Sequence, residues 1–453
     1  MNTNTKNGSR RSARPNTNGN GKTQFHGLGL TPKLMRAIED LGFESPTPVQ
    51  IDAIPPALEG RDILACAMTG SGKTAAFVLP ILQRILDEPR GVTRALVLTP
   101  TRELAAQVAE HLAELATHTD VRVATVFGGV GAAPQEKAFR KGVDVIVGTP
   151  GRLLDHFQSD YARLSALEVL VIDEADRMLD MGFLPDIRRI LKHLPKRPRQ
   201  TLFFSATMPE DIVKLSREIL RDPVRISVER KSAPATGVMQ ALYPVRSQLK
   251  VQLLTELLER GEIGNAIVFC RTKHRADRLA KKLVSQGISA GRIHGNRSQG
   301  QRTAALAAFK EGHTRVLVAT DIVARGIDVE ALDHVVNFDV PHTPDDYIHR
   351  VGRTARAEMT GDAYTLVAPE EESTVKAIER TVGRTIERRK IEGFDYDAPA
   401  EARLEVPQRE RIAAIRARKA DERSVAPGTD PSGGNRGPRR GGRGRRGPGR
   451  RSQ

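Results

Sequence analysis

The string Ala67-Met-Thr-Gly-Ser-Gly-Lys-Thr74 has the residue types needed to hold a phosphate chain. Gly70 and Gly72 let backbone N–H groups close around an anion, Lys73 can reach the outer phosphates, and the Thr74 hydroxyl can ligate magnesium. The general pattern opens on glycine where this chain has Ala67, but an apolar run before the string and a helix after it supply the right context. A second string, Val169-Leu-Val-Ile-Asp-Glu-Ala-Asp176, is an apolar run ending in carboxylates. A nucleotide held as its magnesium complex needs one carboxylate near the metal and a base to orient water, and Asp173 and Glu174 fit those roles. A third, Thr343-Pro-Asp-Asp-Tyr-Ile-His-Arg-Val-Gly-Arg-Thr-Ala-Arg356, begins with helix-start residues. At helical spacing Arg350, Arg353 and Arg356 fall within one arc of about 120°, a face that could meet phosphates across a cleft.

Strands and helices must position these groups. Short β-branched runs at 62–67, 95–99, 121–127, 143–147, 169–172 and 201–204 predict strands in the first half. Runs at 266–270, 290–294, 316–319, 334–337 and 363–367 repeat the pattern in the second half. Amphipathic helices fall between them; from Glu103 to Ala116, for example, Leu104, Val108, Leu112 and Leu115 share a face. Alternation of this kind predicts an α/β fold with parallel sheets. Residues 229–237 are polar, contain Pro234 and lack either period, so they read as a hinge between two domains of similar size. Almost every chemical string begins at the carboxyl end of an expected strand, where open α/β sheets bind ligands.

The chain has 453 residues and a net charge of +16. Residues 1–24 hold five basic residues and no acid; residues 424–453 hold eight arginines against Asp430. The tails therefore supply +12, and residues 25–423 only +4. Both tails are too polar to bury a core, so their composition predicts disorder, and the Arg/Gly-rich end suits phosphate binding. The longest uninterrupted apolar stretch, 75–82, is far below the roughly 20 residues of a membrane span. The first 24 residues lack the apolar core of a secretory signal, so a cytoplasmic protein is expected. Cys66 and Cys270 lie in apolar runs and read as core filler, which argues against a zinc site. With no Trp and 4% aromatic residues, an RNA-stacking platform of the RRM kind is not expected either.

Taken in order, the strings Gly42–Gln50, Ala67–Thr74, Pro100-Thr-Arg-Glu-Leu104, Gly128-Gly129, Thr149-Pro-Gly-Arg152, Asp173–Asp176, Ser205-Ala-Thr207, Gln299-x-x-Arg302, Ala319-Thr-Asp…Ala-Arg-Gly-Ile-Asp328 and His349…Arg356 resemble the DEAD-box ATP-dependent RNA helicases. In detail they are similar to the bacterial RhlE subgroup. The resemblance covers residue 25 to about 396, or 372 of 453 residues. It implies two tandem RecA-like domains: a tail at 1–24, an ATP-binding domain at 25–228, a linker at 229–238, a second domain at 239–396, a polar extension at 397–423 and the Arg/Gly tail at 424–453.

The resemblance also implies site roles. Gln50 would read adenine and Phe25, seventeen residues before Gly42, would stack on it. The loop residues Ala67, Met68, Thr69, Gly70, Ser71, Gly72, Lys73 and Thr74 would hold ATP, with Mg2+ on Thr74 and, partly through water, Asp173. Asp328 would touch the ribose, and Arg353 and Arg356 would be arginine fingers. Ser205 and Thr207 would couple ATP state to domain closure. Pro100, Thr101, Arg102, Gly129, Thr149, Gly151, Arg152, Gln299, Arg302, Thr320 and Asp321 would face RNA. Ala355, where many relatives have Gly, and Cys270, at a variable position, depart only in small residues.

The expected activity is RNA-stimulated ATP hydrolysis with local, non-processive duplex opening, on ribosome precursors or with RNA-decay machinery among the partners. An ATP-gated RNA clamp and a DNA-directed helicase compete with it. Deleting 424–453 should weaken RNA binding and flatten its salt dependence while leaving basal ATP turnover nearly intact; titrations of the full and truncated chains at several salt concentrations check this, and equal slopes would refute a tethering tail.

Overall fold

The computed structural model describes residues 24–68, 70–196, 198–227, 238–321, 332–354 and 361–399. Of the expected features, Thr69, Asp328, Ala355, Arg356, the hinge at 229–237, the Arg/Gly tail, nearly all of the N-terminal tail and most of the 397–423 extension lie outside these residues.

The first sheet contains β1 (Ile63–Cys66), β2 (Ala95–Leu98), β3 (Val123–Val126), β4 (Val145–Gly148), β5 (Val169–Ile172), β6 (Gln200–Ser205) and β7 (Val224–Ser227) in the order β3-β4-β2-β5-β6-β1-β7. The second contains β8 (Val238–Pro244), β9 (Ala266–Phe269), β10 (Ala290–Ile293), β11 (Val316–Ala319), β12 (His334–Asn337), β13 (Gly361–Val367) and β14 (Glu387–Arg388) in the order β10-β11-β9-β12-β13-β8-β14. Every strand pairing is parallel. These are the two parallel sheets that the alternating pattern predicts.

Parallel strands covered on both faces read as continuous apolar runs. In the first sheet Ala65, Val97, Val147, Val171 and Phe204 pack into one core. Their neighbours Leu64, Leu98, Ile146, Ile172 and Phe203 pack into another on the opposite face. The helix Lys73–Ile85 is buried along nearly its whole length, including Phe77, Val78, Leu79 and Leu82, which fixes the loop before it against the sheet.

Three strands escape the sequence pattern. β7 carries Arg225 and has one buried residue, so it lacks the apolar signal of a covered strand. β8 contains Gln240 and ends on Pro244, yet it pairs with β13 over seven residues. β14 has only two residues, both exposed.

The arginine arc is corrected by the structure. Thr343 does cap the helix Pro344–Val351, accepting the Asp346 N–H at 3.1 Å, but the helix stops before Arg353. Arg350 turns inward. Its guanidinium holds Asp321 with contacts of 2.6 and 2.8 Å, donates to Asn337 Oδ1 at 3.0 Å and the Asp339 carbonyl at 2.8 Å, and lies over the Phe269 ring. It ties this helix to the ends of β9, β11 and β12. Removing one partner of a buried ion pair strands the other, so Arg350→Ala should cost about 3 kcal/mol of stability; urea unfolding reports it as a lowered midpoint, and an unchanged midpoint would contradict this role.

Candidate functional site

Ala67 continues β1 by donating its N–H to the Ser205 carbonyl at 3.0 Å, which places the loop beside the end of β6. The chain then curls: both the N–H and the Oγ of Ser71 donate to the Met68 carbonyl, at 3.3 and 2.7 Å. Gly72, at φ +89°, caps the helix that starts with Lys73. A Cβ there would meet Gln50 Nε2 at 2.6 Å and Thr47 Oγ1 at 2.7 Å, so both backbone angle and space require glycine. Gln50 itself sits at the third position of the helix Pro48–Leu58, in a capping box with Thr47. Its Oε1 accepts the Thr47 N–H at 2.9 Å and its Nε2 donates to the Gly72 carbonyl at 3.0 Å. The residue expected to meet adenine therefore also sets the position of the phosphate loop. Phe25, expected to stack on the base, is instead only 3% exposed and stacks on Phe43 with centroids 6.4 Å apart. Its apolar ring gains more from this core than from solvent.

Lys73 is buried, its Nζ 3.8 Å from Asp173 Oδ1 and without a hydrogen-bond partner among the described residues. An ammonium left this way is short of oxygen ligands, as a phosphate-binding lysine without its phosphates would be. Asp173 follows β5, and burial pushes its carboxyl up to about 6 although Lys73 opposes the shift. Glu174 adopts φ 53°, ψ 52°, a left-handed conformation that costs a non-glycine residue on the order of 1–3 kcal/mol. That turn aims its carboxylate at Arg177, 3.1 Å away. Burial works against ionisation of Glu174, but Arg177, followed by Lys73, Arg353 and His349, hold it down to about 2. Two buried carboxyl groups thus stand side by side with pKa values shifted in opposite directions.

Asp176 ties this pair to the next strand. Its N–H donates to Ser205 Oγ at 3.1 Å, and its Oδ2 accepts from the Thr207 N–H at 2.7 Å and the Thr207 hydroxyl at 2.8 Å. Ser205 Oγ donates in turn to the Thr207 carbonyl at 2.7 Å. A cavity of about 550 Å3 beside this network is lined by Cys66, Asp176 and Thr207 from the first domain and by Asp345 and His349 from the second. Arg353, buried, approaches Glu174 from the same second domain.

The sheet order divides the carboxyl edge. Nucleotide candidates follow β1, β5 and β6; Pro100–Arg102, Gly129 and Thr149–Arg152 follow β2, β3 and β4. Thr101 caps the helix Arg102–Leu115, accepting the Leu104 N–H at 3.2 Å. The Arg102 guanidinium lies against Gly129, where a Cβ would overlap it. Gly151 is exposed, and Thr149 caps the helix Pro150–Phe157. Arg152 reaches the Val130 carbonyl at 3.2 Å.

Three expected RNA contacts of the second domain are engaged internally. Gln299 Nε2 donates to Glu103 Oε1 at 3.1 Å, and Arg302 to Glu103 Oε2 at 2.5 Å, all three residues buried. Asp321 is held by Arg350, and Thr320 is nearly buried beside it. Glu103 pairs with Arg302 and Asp321 with Arg350, while Gln299 Oε1 and Arg302 Nε remain without a hydrogen-bond partner among the described residues. Glu103, Asp176, Arg177 and His349 were not singled out from the sequence as site residues. Glu103 and Asp176 lie inside recognised strings, and an acid in the first turn of a helix behind a buried strand is the signal that could have found Glu103.

No cluster of three metal-ligating side chains occurs among the described residues. A magnesium held mainly by phosphates needs only one or two protein groups, and Asp173 beside the loop and Thr74 on it supply that number. Lys73, whose Nζ has only its long contact with Asp173 and no hydrogen-bond partner among the described residues, fits a phosphate chain beside a carboxylate that could meet its magnesium.

A family model described as DEAD/DEAH box helicase matches residues 47–215, and one described as helicase conserved C-terminal domain matches 249–358. The chain is similar to the DEAD-box ATP-dependent RNA helicase CshA of Geobacillus kaustophilus, 43% identical over 384 residues, which span 85% of this chain and 82% of that one. Among solved structures, Dbp5 of S. cerevisiae bound to RNA and ADP BeF3 superposes with TM-score 0.74 at 32% identity, covering 81% of this chain and 95% of its own. Mss116p bound to ssRNA and AMP-PNP superposes with TM-score 0.77 at 25% identity, covering 91% and 88%.

Asp173 has a folded pKa above its ordinary 3.8, so the folded chain binds the extra proton and stability falls as pH rises from about 4 through 6. Asp173→Asn removes that slope. The ligand-free variant should gain stability relative to the parent over this interval; chemical unfolding at pH 4 and 7 checks it, and an equal difference at both pH values would contradict the shift.

Proposed function

Since the chain belongs to the DEAD-box family of ATP-dependent RNA helicases and has two RecA-like domains, we propose the following roles for its residues in ATP hydrolysis on RNA. The observation that carries them is the convergence of Lys73, Asp173, Glu174 and the Asp176–Thr207 link from one sheet edge with Arg353 from the other.

ATP enters with its phosphates against the loop 67–74, where Ser71 must release Met68 so that its N–H can face an oxygen. Lys73 exchanges its weak contact with Asp173 for phosphate oxygens. Thr74 and Asp173 would hold magnesium, which neutralises phosphate charge. Glu174, ionised at neutral pH and held by Arg177, accepts the proton of the attacking water as the bond to the leaving ADP oxygen breaks. Arg353, with Arg356, stabilises the charge that develops on the transferred group. Asp328 contacts the ribose and Gln50 the adenine, while Phe25 would have to leave Phe43 to stack on the base.

RNA lies along the β2–β3–β4 end of the first domain, on Pro100, Thr101, Arg102, Gly129, Thr149, Gly151 and Arg152. Gln299, Arg302, Thr320 and Asp321 complete the surface once Glu103 and Arg350 yield. Closure on ATP and RNA together bends one strand and opens a short duplex locally; hydrolysis and reopening reset it. Asp176, hydrogen-bonded to Thr207, passes the state of the Asp173–Glu174 pair to the closing face.

Three finer assignments belong to this proposal. They are a place in the RhlE subgroup, although the relative compared above is named CshA, cytoplasmic residence, and ribosome precursors or RNA-decay machinery as partners. No helix among the described residues is long and apolar enough to cross a membrane.

Glu174→Gln should lower RNA-stimulated ATP turnover by about 10²–10⁴-fold while nucleotide binding persists. Phosphate release at saturating RNA and at saturating DNA measures this. Wild-type turnover in the variant would remove Glu174 from the role of base, and equal stimulation by DNA would favour a DNA-directed enzyme.

A further inference from the structure

The opposite edge of the first sheet, at the amino ends of β6 and β7, carries a second cavity of about 370 Å3. It lies between the C-terminal ends of the helices Leu184–His193 and Glu210–Ile219, and four cations line it: Arg188, Lys192, Arg199 and Arg221. The one acid of the lining, Glu218, is spent on Arg188 through contacts of 3.1 and 2.8 Å. Asp62, behind the wall, accepts the backbone N–H groups of Thr201 and Arg221, both at 2.7 Å. Lys192 and Arg221 form no ion pair among the described residues. Arg199 is half-buried; among the described residues Nη1 reaches only the Pro195 carbonyl, at 3.4 Å, and Nε is buried without a partner. Burial, then the neighbouring Arg221, pull its pKa down, with Asp62 opposing. Like charges held together around an empty space, one with an orphaned donor, are the complement of an anion.

We propose that this cavity binds a terminal phosphate group carrying more than one negative charge, either as free phosphate or diphosphate or as the monoester at the end of an RNA strand. Three cations that form no ion pair among the described residues, with Asp62 as the opposing acid behind Arg199, call for more than one negative charge. A monoester carries about −1.5 to −2 at neutral pH, whereas a carboxylate or an internal phosphodiester carries one. The site stands apart from the ATP loop, which follows the carboxyl end of β1, so its occupancy is separable from catalysis.

The test uses the full-length chain with Lys73→Ala, which removes phosphate binding at the ATP loop, and titrates pyrophosphate by calorimetry with and without Arg199→Ala or Arg221→Ala. Each arginine substitution should raise the dissociation constant about tenfold, the loss expected for one charged hydrogen-bonding group. With Lys73 intact, neither should alter ATP turnover at saturating RNA. Arg221 is exposed, so its variant tests the site even if Arg199→Ala fails to fold. A 5′-phosphorylated RNA that binds more tightly than its 5′-hydroxyl counterpart, with the preference lost in both variants, identifies the strand end as source. Pyrophosphate binding lost in the variants without any such preference identifies free phosphate. Undiminished pyrophosphate binding in folded variants would overturn the proposal, as would a cavity that took a tetraglutamate peptide and not pyrophosphate.

Discussion

In both sheets, helices cover the parallel strands on two faces, and this burial governs where polar groups can stand. Within β2, β4 and β5 every residue is buried, so charge is confined to the strand ends. The order of strands then decides which ends are neighbours. Placing β6 between β5 and β1 puts Asp173, Ser205 and Ala67 in a row, and moves β2, β3 and β4 to the other side. One parallel sheet thus presents two separate groups of strand ends.

The same burial sets the electrostatics. Charges removed from water must find partners or change protonation. Asp173, whose nearest cation is 3.8 Å away, moves upward; Glu174, close to Arg177, moves downward. The left-handed backbone at Glu174 is the local cost of turning two neighbouring carboxyl groups toward different cations. Asp176 adds the third element. By binding the backbone and hydroxyl of Thr207 it ties the segment after β6 to the segment after β5.

Internal carboxylates also occupy groups suited to phosphate. Glu103 holds Gln299 and Arg302, and Asp321 holds Arg350, each in a charge-assisted contact. An arginine within reach of a carboxylate and away from water takes it, so a phosphate ligand must compete with an internal acid for some of these groups. The pair formed by Arg350 differs in function from the one formed by Arg302. Arg350 also bonds Asn337 and Asp339 of its own domain and so belongs to the packing of the second sheet.

Most of the architecture was legible in the chain because it rests on local chemistry. Apolar β-branched runs disclosed eleven of the fourteen strands among the described residues, and the glycine spacing, the carboxylates after β5 and the Thr343 cap each act within a few residues. β7, β8 and β14 were not legible because what makes them strands is a neighbour far along the chain: Asp362 beside Met239, or Ile63 beside Val224. The same holds for side-chain direction. An ideal helical period puts Arg350 and Arg353 on one face, but the helix ends at Val351, and Asp321 and Asn337 decide where Arg350 points. The sequence by itself determined the two α/β domains and the residue types available for phosphate chemistry, since periodicity and turn chemistry are local. Only the tertiary structure decided which charges meet, because burial and pairing depend on residues brought together across roughly thirty to two hundred positions of chain.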